Sequence, residues 1–158
     1  MSKCIFNGSF DPITNGHIDI INRALRIFDE VYVVVMQNRE KTSLFTVEER
    51  IDMIDLAFCG EKRVIPMSYG SLTVNLCKEL GINTVIRGVR DTKDYEFESS
   101  LDIINKKLLP DFETVLFPTR QELYHISSSF VREIISFNGD VSSFLPLNVE
   151  KYIKNLSK

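Results

Sequence analysis

The stretch Asn7-Gly8-Ser9-Phe10-Asp11-Pro12-Ile13-Thr14-Asn15-Gly16-His17 concentrates groups that can meet a phosphate. Gly8 and Gly16 let backbone approach a ligand closely, and Ser9 brings a hydroxyl. His17 falls in the first turn of a following helix, where unpaired N–H groups and the helix dipole favour anions. A Gly-rich turn with a capping histidine would read the same way, and these residues alone leave both readings open. The stretch is neither GxGxxG nor GxxxxGK[ST], which argues against a dehydrogenase-type dinucleotide site and against a P-loop.

Three further segments carry compatible chemistry. Ile86-Arg87-Gly88-Val89-Arg90-Asp91 sets two arginines three apart around a glycine, and guanidinium forks match phosphate oxygens bidentately. Leu123-Tyr124-His125-Ile126-Ser127-Ser128-Ser129 ends in a serine run that opens a helix, joining hydroxyls to free N–H groups. Lys41 adds a fourth cationic candidate. Taken singly, the serine run reads as a helix cap and Lys41 as a solvated loop charge, while the paired arginines at the ligand edge point to phosphate; convergence of all the segments favours phosphate binding. No Cys/His/Asp nucleophilic set accompanies them, and no histidine-carboxylate cluster suggests a tightly held metal. The chemistry to expect is phosphate transfer by positioning and charge.

Convergence requires elements that bring these segments to one edge. Lys3 to Phe6, Glu30 to Met36, Arg63 to Met67, Thr84 to Arg87 and Glu113 to Phe117 are short and mostly β-branched or aromatic, as buried strands are. Helical periodicity lies between them. Ile18, Ile21, Leu25 and Phe28 follow Gly16, Thr46 opens a capping box with Glu49, and Leu72, Leu76 and Leu80 precede a stop at Gly81. A fourth helix is predicted from about Lys93 to Leu109, ending before Pro110, with two more after Ile126 and Asn148. This order predicts a single α/β domain over residues 1–158. Its architecture is a Rossmann-like, doubly wound, five-stranded parallel sheet with helices on both faces and C-terminal helices. In such sheets the ligand sits at the carboxyl ends of the strands, near the switch point.

Composition narrows the partner. The 158 residues are 44% hydrophobic and 26% charged, and 19 Lys and Arg against 22 Asp and Glu leave a net charge of −3. A nucleic-acid partner is disfavoured by that balance, whereas a small phosphorylated ligand is not. The longest apolar run, Val31 to Met36, is far short of the ~20 residues that span a bilayer, and no signal-peptide core precedes it. The expectation is a cytoplasmic protein without a membrane partner. Cys4, Cys59 and Cys77 have no ligand spacing and are expected to act as small core hydrophobes.

Gly8 to His17 resembles the (H/T)xGH signature of the nucleotidyltransferases, and Ile126-Ser127-Ser128-Ser129 resembles their ISS(S/T) signature. Phe45 to Arg50, Ile86 to Arg90, Asp94 to Glu98, and Gly139-Asp140-Val141 with Phe144-Leu145-Pro146 extend the likeness over essentially the whole chain. Together they are similar to the bacterial phosphopantetheine adenylyltransferases. That resemblance implies adenylyl transfer from ATP to 4'-phosphopantetheine, giving 3'-dephospho-coenzyme A (dephospho-CoA) and pyrophosphate, with Mg2+ carried on the nucleotide phosphates. It implies a direct attack in which His17 stabilises the transition state, aided by Lys41 and Arg90, with Ser9 touching both substrates. Lys41 and Arg87 would hold the acceptor phosphate, and Thr73 would line the pantetheine arm. ATP would lie against Ser9, Phe10, His17, Gly88, Val89, Arg90 and Glu98, and along Leu123, Tyr124, His125, Ile126, Ser127, Ser128 and Ser129. The resemblance further implies a homohexamer built as a trimer of dimers, and feedback inhibition by CoA. Departures occur at Asn7, where Pro is usual, at Ser9, where Thr is commoner, and at Ser71, where an acid is frequent. The competing readings are a nucleotidyltransferase with a nicotinamide mononucleotide or glycerol phosphate acceptor, and a non-catalytic nucleotide sensor.

Overall fold

A computed structural model describes residues 1–37 and 42–156. Among these residues five strands, β1 (Lys3–Gly8), β2 (Glu30–Met36), β3 (Val64–Tyr69), β4 (Thr84–Val89) and β5 (Glu113–Pro118), form one parallel sheet in the order β3-β2-β1-β4-β5. The chain runs outward from β1 to β3, then crosses back to place β4 on the other side of β1. The switch point therefore lies between β1 and β4. Pro66 and Pro118 both sit on edge strands, where a missing N–H costs no interior ladder bond.

Among the described residues, six α-helices connect or follow the strands: α1 (Asn15–Ala24), α2 (Val47–Ala57), α3 (Thr73–Leu80), α4 (Thr92–Leu108), α5 (Ser128–Ser136) and α6 (Leu147–Leu156). Alternation along the strands divides the core into two layers. Cys4 and Phe6 of β1 with Val31, Val33 and Val35 of β2 pack under α1, α2, α5 and α6. Ile5, Val34 and Val85 face the other way, against Val74, Leu76 and Cys77 of α3. The doubly wound architecture is as the periodicity predicts.

Local signals act where expected. Thr46 Oγ1 accepts the Glu49 N–H at 3.1 Å while Glu49 Oε2 accepts the Thr46 N–H at 2.8 Å, closing the capping box of α2. Gly81 ends α3 with φ 65°, the left-handed conformation glycine adopts without penalty.

Two expectations are corrected. Cys4 and Cys77 are fully buried, but Cys59 is exposed in the turn after α2. Four of the strands also run further toward their carboxyl ends than expected, β1 to Gly8 and β4 to Val89, because ladder pairing continues through Gly8↔Val35 and Val89↔Pro118. Arg87, Gly88 and Val89 are thus strand residues with fixed directions, and no loose loop carries them.

Gly88 of β4 packs directly against Ile20 of α1. A Cβ there would stand 2.4 Å from Ile20 Cδ1, and Ile20 is buried. Gly88→Ala should therefore lower the free energy of unfolding by about 1–3 kcal/mol, the usual cost of overpacking. Ile20→Val, which deletes the opposing methyl, should recover much of it in the double variant. Urea midpoints of the four proteins check this, and an unchanged midpoint in Gly88→Ala would contradict the packing.

Candidate active site

A cleft of ≈ 300 Å³ opens at the carboxyl ends of the strands, over the switch point. Ser9, Phe10 and His17 from the β1–α1 connection line one wall; Arg87, Gly88 and Arg90 line the second. Leu123, Ile126, Ser127 and Ser128 close the third side. Ten of the expected site residues thus converge. Lys41 lies outside the described residues.

His17 is the third residue of α1, and its ring closes back onto the cap. Thr14 N–H donates to His17 Nδ1 at 3.1 Å. A backbone N–H can only donate, so Nδ1 must carry the lone pair, and in the neutral ring the proton sits on Nε2. Removal from water, and secondarily the positive charge of Arg87, push the imidazole pKa down to about 4. Phe10 packs edge-on against the ring with centroids 5.0 Å apart, and Phe6 backs both. The result is a neutral, oriented N–H donor facing the cleft.

Phe10 holds φ 46°, a left-handed conformation that costs an aromatic residue about 1–3 kcal/mol. The loop keeps it because buried charges fasten both flanks. The Asp11 carboxylate accepts the N–H groups of Leu44 at 2.9 Å and Phe45 at 3.0 Å. Arg50 of α2 donates to the Ser9 carbonyl at 2.8 Å, and Arg132 of α5 donates to the Asp11 carbonyl at 2.7 Å. Ser128 Oγ donates to the Pro12 carbonyl at 2.8 Å. Reasoning from the sequence assigned Asp11, Arg50 and Arg132 no role. The available signal was that Asp11 and Arg50 are charged residues inside motif segments, with Arg132 one helical turn after Ser129.

Arg87 is held on two sides. Its Nε donates to Glu98 at 2.8 Å, and its NH1 donates to the Asn7 carbonyl at 2.5 Å. NH2 has no hydrogen bond to any described residue. Glu98, expected at ATP, is buried behind Arg87 and does not line the cleft. Arg90 pairs with Asp94 at 3.1 Å. Partial burial pushes the Asp94 carboxyl up, but hydrogen bonds from the Arg90 side chain and backbone, with the charges of Arg90 and Arg87, bring it below its ordinary value.

The serine run is already engaged. Ser127 Oγ caps α5 by accepting the Phe130 N–H at 3.2 Å, and Ser129 Oγ accepts from Arg132 at 3.2 Å. Ser127 keeps its O–H to donate, and the N–H groups of Ser128 and Ser129 open the helix without a partner among the described residues. Tyr124 and His125 are exposed outside the cleft, with the His125 ring against Phe144. Val89 stays in the ladder. Thr73 also lies off the cleft, and its hydroxyl accepts from Asn7 Nδ2 at 2.8 Å.

Among the described residues no group of three or more His, Cys, Asp or Glu could hold a metal ion. Asp94 is the carboxylate side chain among the described residues that line the cleft. No described helix is long and apolar enough to cross a membrane.

Residues 5–134 match the family model described as cytidylyltransferase-like. Three relatives, each named phosphopantetheine adenylyltransferase, align over nearly their whole length. One from Campylobacter fetus subsp. fetus is 44% identical over 96% of this chain and 96% of its own. One from Finegoldia magna is 42% identical over 97% and 94%, and one from Staphylococcus carnosus 42% over 97% and 95%.

The His17 environment has a signed consequence. An unfolded histidine protonates near 6.5, whereas the folded ring resists until about 4. Its contribution to stability is therefore complete above pH 6.5 and is lost as pH falls from 6.5 toward 4. Ring-nitrogen NMR of the free protein should show the Nε2–H tautomer at pH 6 and a midpoint near 4. A midpoint near 6.5 would contradict the assignment.

Proposed function

The chain belongs to the phosphopantetheine adenylyltransferase family of cytidylyltransferase-like proteins, and we infer that the cleft joins ATP to 4'-phosphopantetheine. The products are 3'-dephospho-CoA and pyrophosphate, in the penultimate step of coenzyme A biosynthesis. The observation that carries the mechanism is the Thr14-to-His17 hydrogen bond, since it makes Nε2–H a donor at neutral pH.

A phosphomonoester is largely dianionic at pH 7, its second pKa being about 6, so the acceptor needs no general base. One of its oxygens bonds to the α-phosphorus of ATP as the bond to the α–β bridging oxygen breaks. Pyrophosphate leaves with that electron pair, and no enzyme-bound covalent intermediate forms. Charge on the α-phosphate oxygens rises during the exchange, and His17 Nε2–H is the donor proposed to meet it. With its pKa lowered to about 4 the ring is neutral at pH 7, and a neutral imidazole serves as an N–H donor at Nε2.

Arg87, with NH2 still available, and Lys41 would take the acceptor phosphate, with Thr73 along the pantetheine arm. Ser9, Phe10, Gly88, Val89, Arg90 and Leu123 to Ser129 would surround ATP, with the α5 N-terminus at the phosphates. Glu98 would act through Arg87. The metal would be Mg2+ arriving with the nucleotide phosphates, which suits a cleft with Asp94 as its lining carboxylate. Assembly as a trimer of dimers is supported by α4, which exposes Tyr95, Phe97, Ile103, Ile104 and Leu108. CoA, which carries the product's own groups, would compete for the same cleft. A cytoplasmic location fits substrates of this kind.

Pyrophosphate release from MgATP should require 4'-phosphopantetheine and fail with nicotinamide mononucleotide or glycerol 3-phosphate. His17→Ala should lower kcat by roughly 10²–10³ while leaving ATP affinity nearly intact, as loss of one transition-state donor does. Near-normal turnover in that variant would defeat the assignment. Sedimentation should give a mass close to six times the 18.2 kDa chain.

A further inference from the structure

Asn7 is the penultimate residue of β1, beside the switch point, where β1 and β4 are paired at Ile5↔Val85. Toward the carboxyl end, the Arg87 guanidinium reaches across to β1. NH1 of Arg87 donates to the Asn7 backbone carbonyl at 2.5 Å and lies 3.3 Å from Asn7 Oδ1. On its other side the same amide donates from Nδ2 to Thr73 Oγ1 at 2.8 Å. The orientation of the amide follows from its neighbours: a guanidinium has only donors, so the oxygen must face Arg87, and the nitrogen then faces the hydroxyl of Thr73.

We infer that Asn7 is a positioning residue for the phosphate of the acceptor, coupling Arg87 to the N-terminus of α3 through one side-chain amide. This rests on the function proposed above, in which Arg87 and Thr73 serve the acceptor. Glu98 fixes Nε, and NH1 is shared between the Asn7 carbonyl and its Oδ1, so NH2 points in one direction without rotamer search. Thr73 is the first residue of α3, and its tie to β1 sets the distance between the helix start and the guanidinium. A neutral amide does this without adding charge beside an arginine that must receive a phosphate. A carboxylate at position 7 would keep both hydrogen bonds, since a Thr hydroxyl can also donate, but would cancel the field of Arg87.

Steady-state kinetics on the full chain test the assignment with varied 4'-phosphopantetheine and varied MgATP. Asn7→Ala should raise the acceptor KM about tenfold, the effect of losing a hydrogen-bonded positioning contact, with kcat and the ATP KM within about twofold. Thr73→Val should raise the acceptor KM as well, and the double variant should be no worse than the more impaired single one, because both remove one link. Asn7→Asp, which preserves the geometry and is expected to fold even if Asn7→Ala does not, should also raise the acceptor KM about tenfold or more. An acceptor KM that moves less than about threefold in both Asn7 variants would overturn the assignment. So would equal changes in the ATP KM, or additivity with Thr73→Val. Absence of dephospho-CoA formation by the unsubstituted protein would instead defeat the function on which the assignment rests.

Discussion

The buried carboxylate of Asp11 is the tie on which the site depends. It accepts two backbone N–H groups from the segment that enters α2, and Arg132 of α5 grips the carbonyl of the same residue. Hydrogen bonds to a charged group contribute about 1.5–3 kcal/mol each, enough together to hold Phe10 in a conformation that an aromatic residue otherwise avoids. Phe10 in turn packs on the His17 ring, and the ring caps its own helix through Thr14. The donor that faces the cleft is therefore oriented by contacts from α2 and α5, elements that enter the chain 30 to 120 residues later.

Charge is distributed by the same logic. A chain of net charge −3 presents a cleft lined by two arginines, because each has a carboxylate behind or beside it: Glu98 for Arg87, Asp94 for Arg90. Pairing reduces the cost of crowding cations where His17 must stay neutral, and it leaves a guanidinium edge of Arg87 for an anion. The two buried thiols cannot contribute: burial pushes Cys4 up to about 12 and Cys77 up to about 11, so neither is a thiolate at neutral pH. Transfer by positioning and charge is what this arrangement can perform.

Much of the fold was legible because periodicity reports burial directly. The valine run of β2, the Thr46–Glu49 box and Gly81 each act through neighbours within a few residues, so their meaning survives without tertiary knowledge. The segments around Ser9, His17, Arg87 and Ser127 were legible for a second reason: a parallel sheet delivers every strand's carboxyl end to one edge. Strand ends were misjudged at Asn7-Gly8 and at Gly88-Val89 because glycine and asparagine read locally as turns, while ladder pairing across the sheet keeps them extended. Cys59 was misjudged because composition cannot tell a buried small residue from one in a turn.

By itself the sequence determined the layer order, the edge at which phosphate chemistry converges, and the residue types offered there, since these follow from spacing and from chemistry that each side chain carries with it. Tertiary structure alone decided which groups are spent and which remain free. Glu98 turned toward Arg87, Ser128 toward Pro12, and Asn7 toward both Thr73 and Arg87, each partnership joining residues whose distance along the chain gives no hint of contact. The tautomer of His17 belongs to the same class. Its proton sits on Nε2 because the Thr14 N–H occupies Nδ1, and the edge-on phenyl rings and desolvated wall that keep it oriented and neutral converge only in the folded chain.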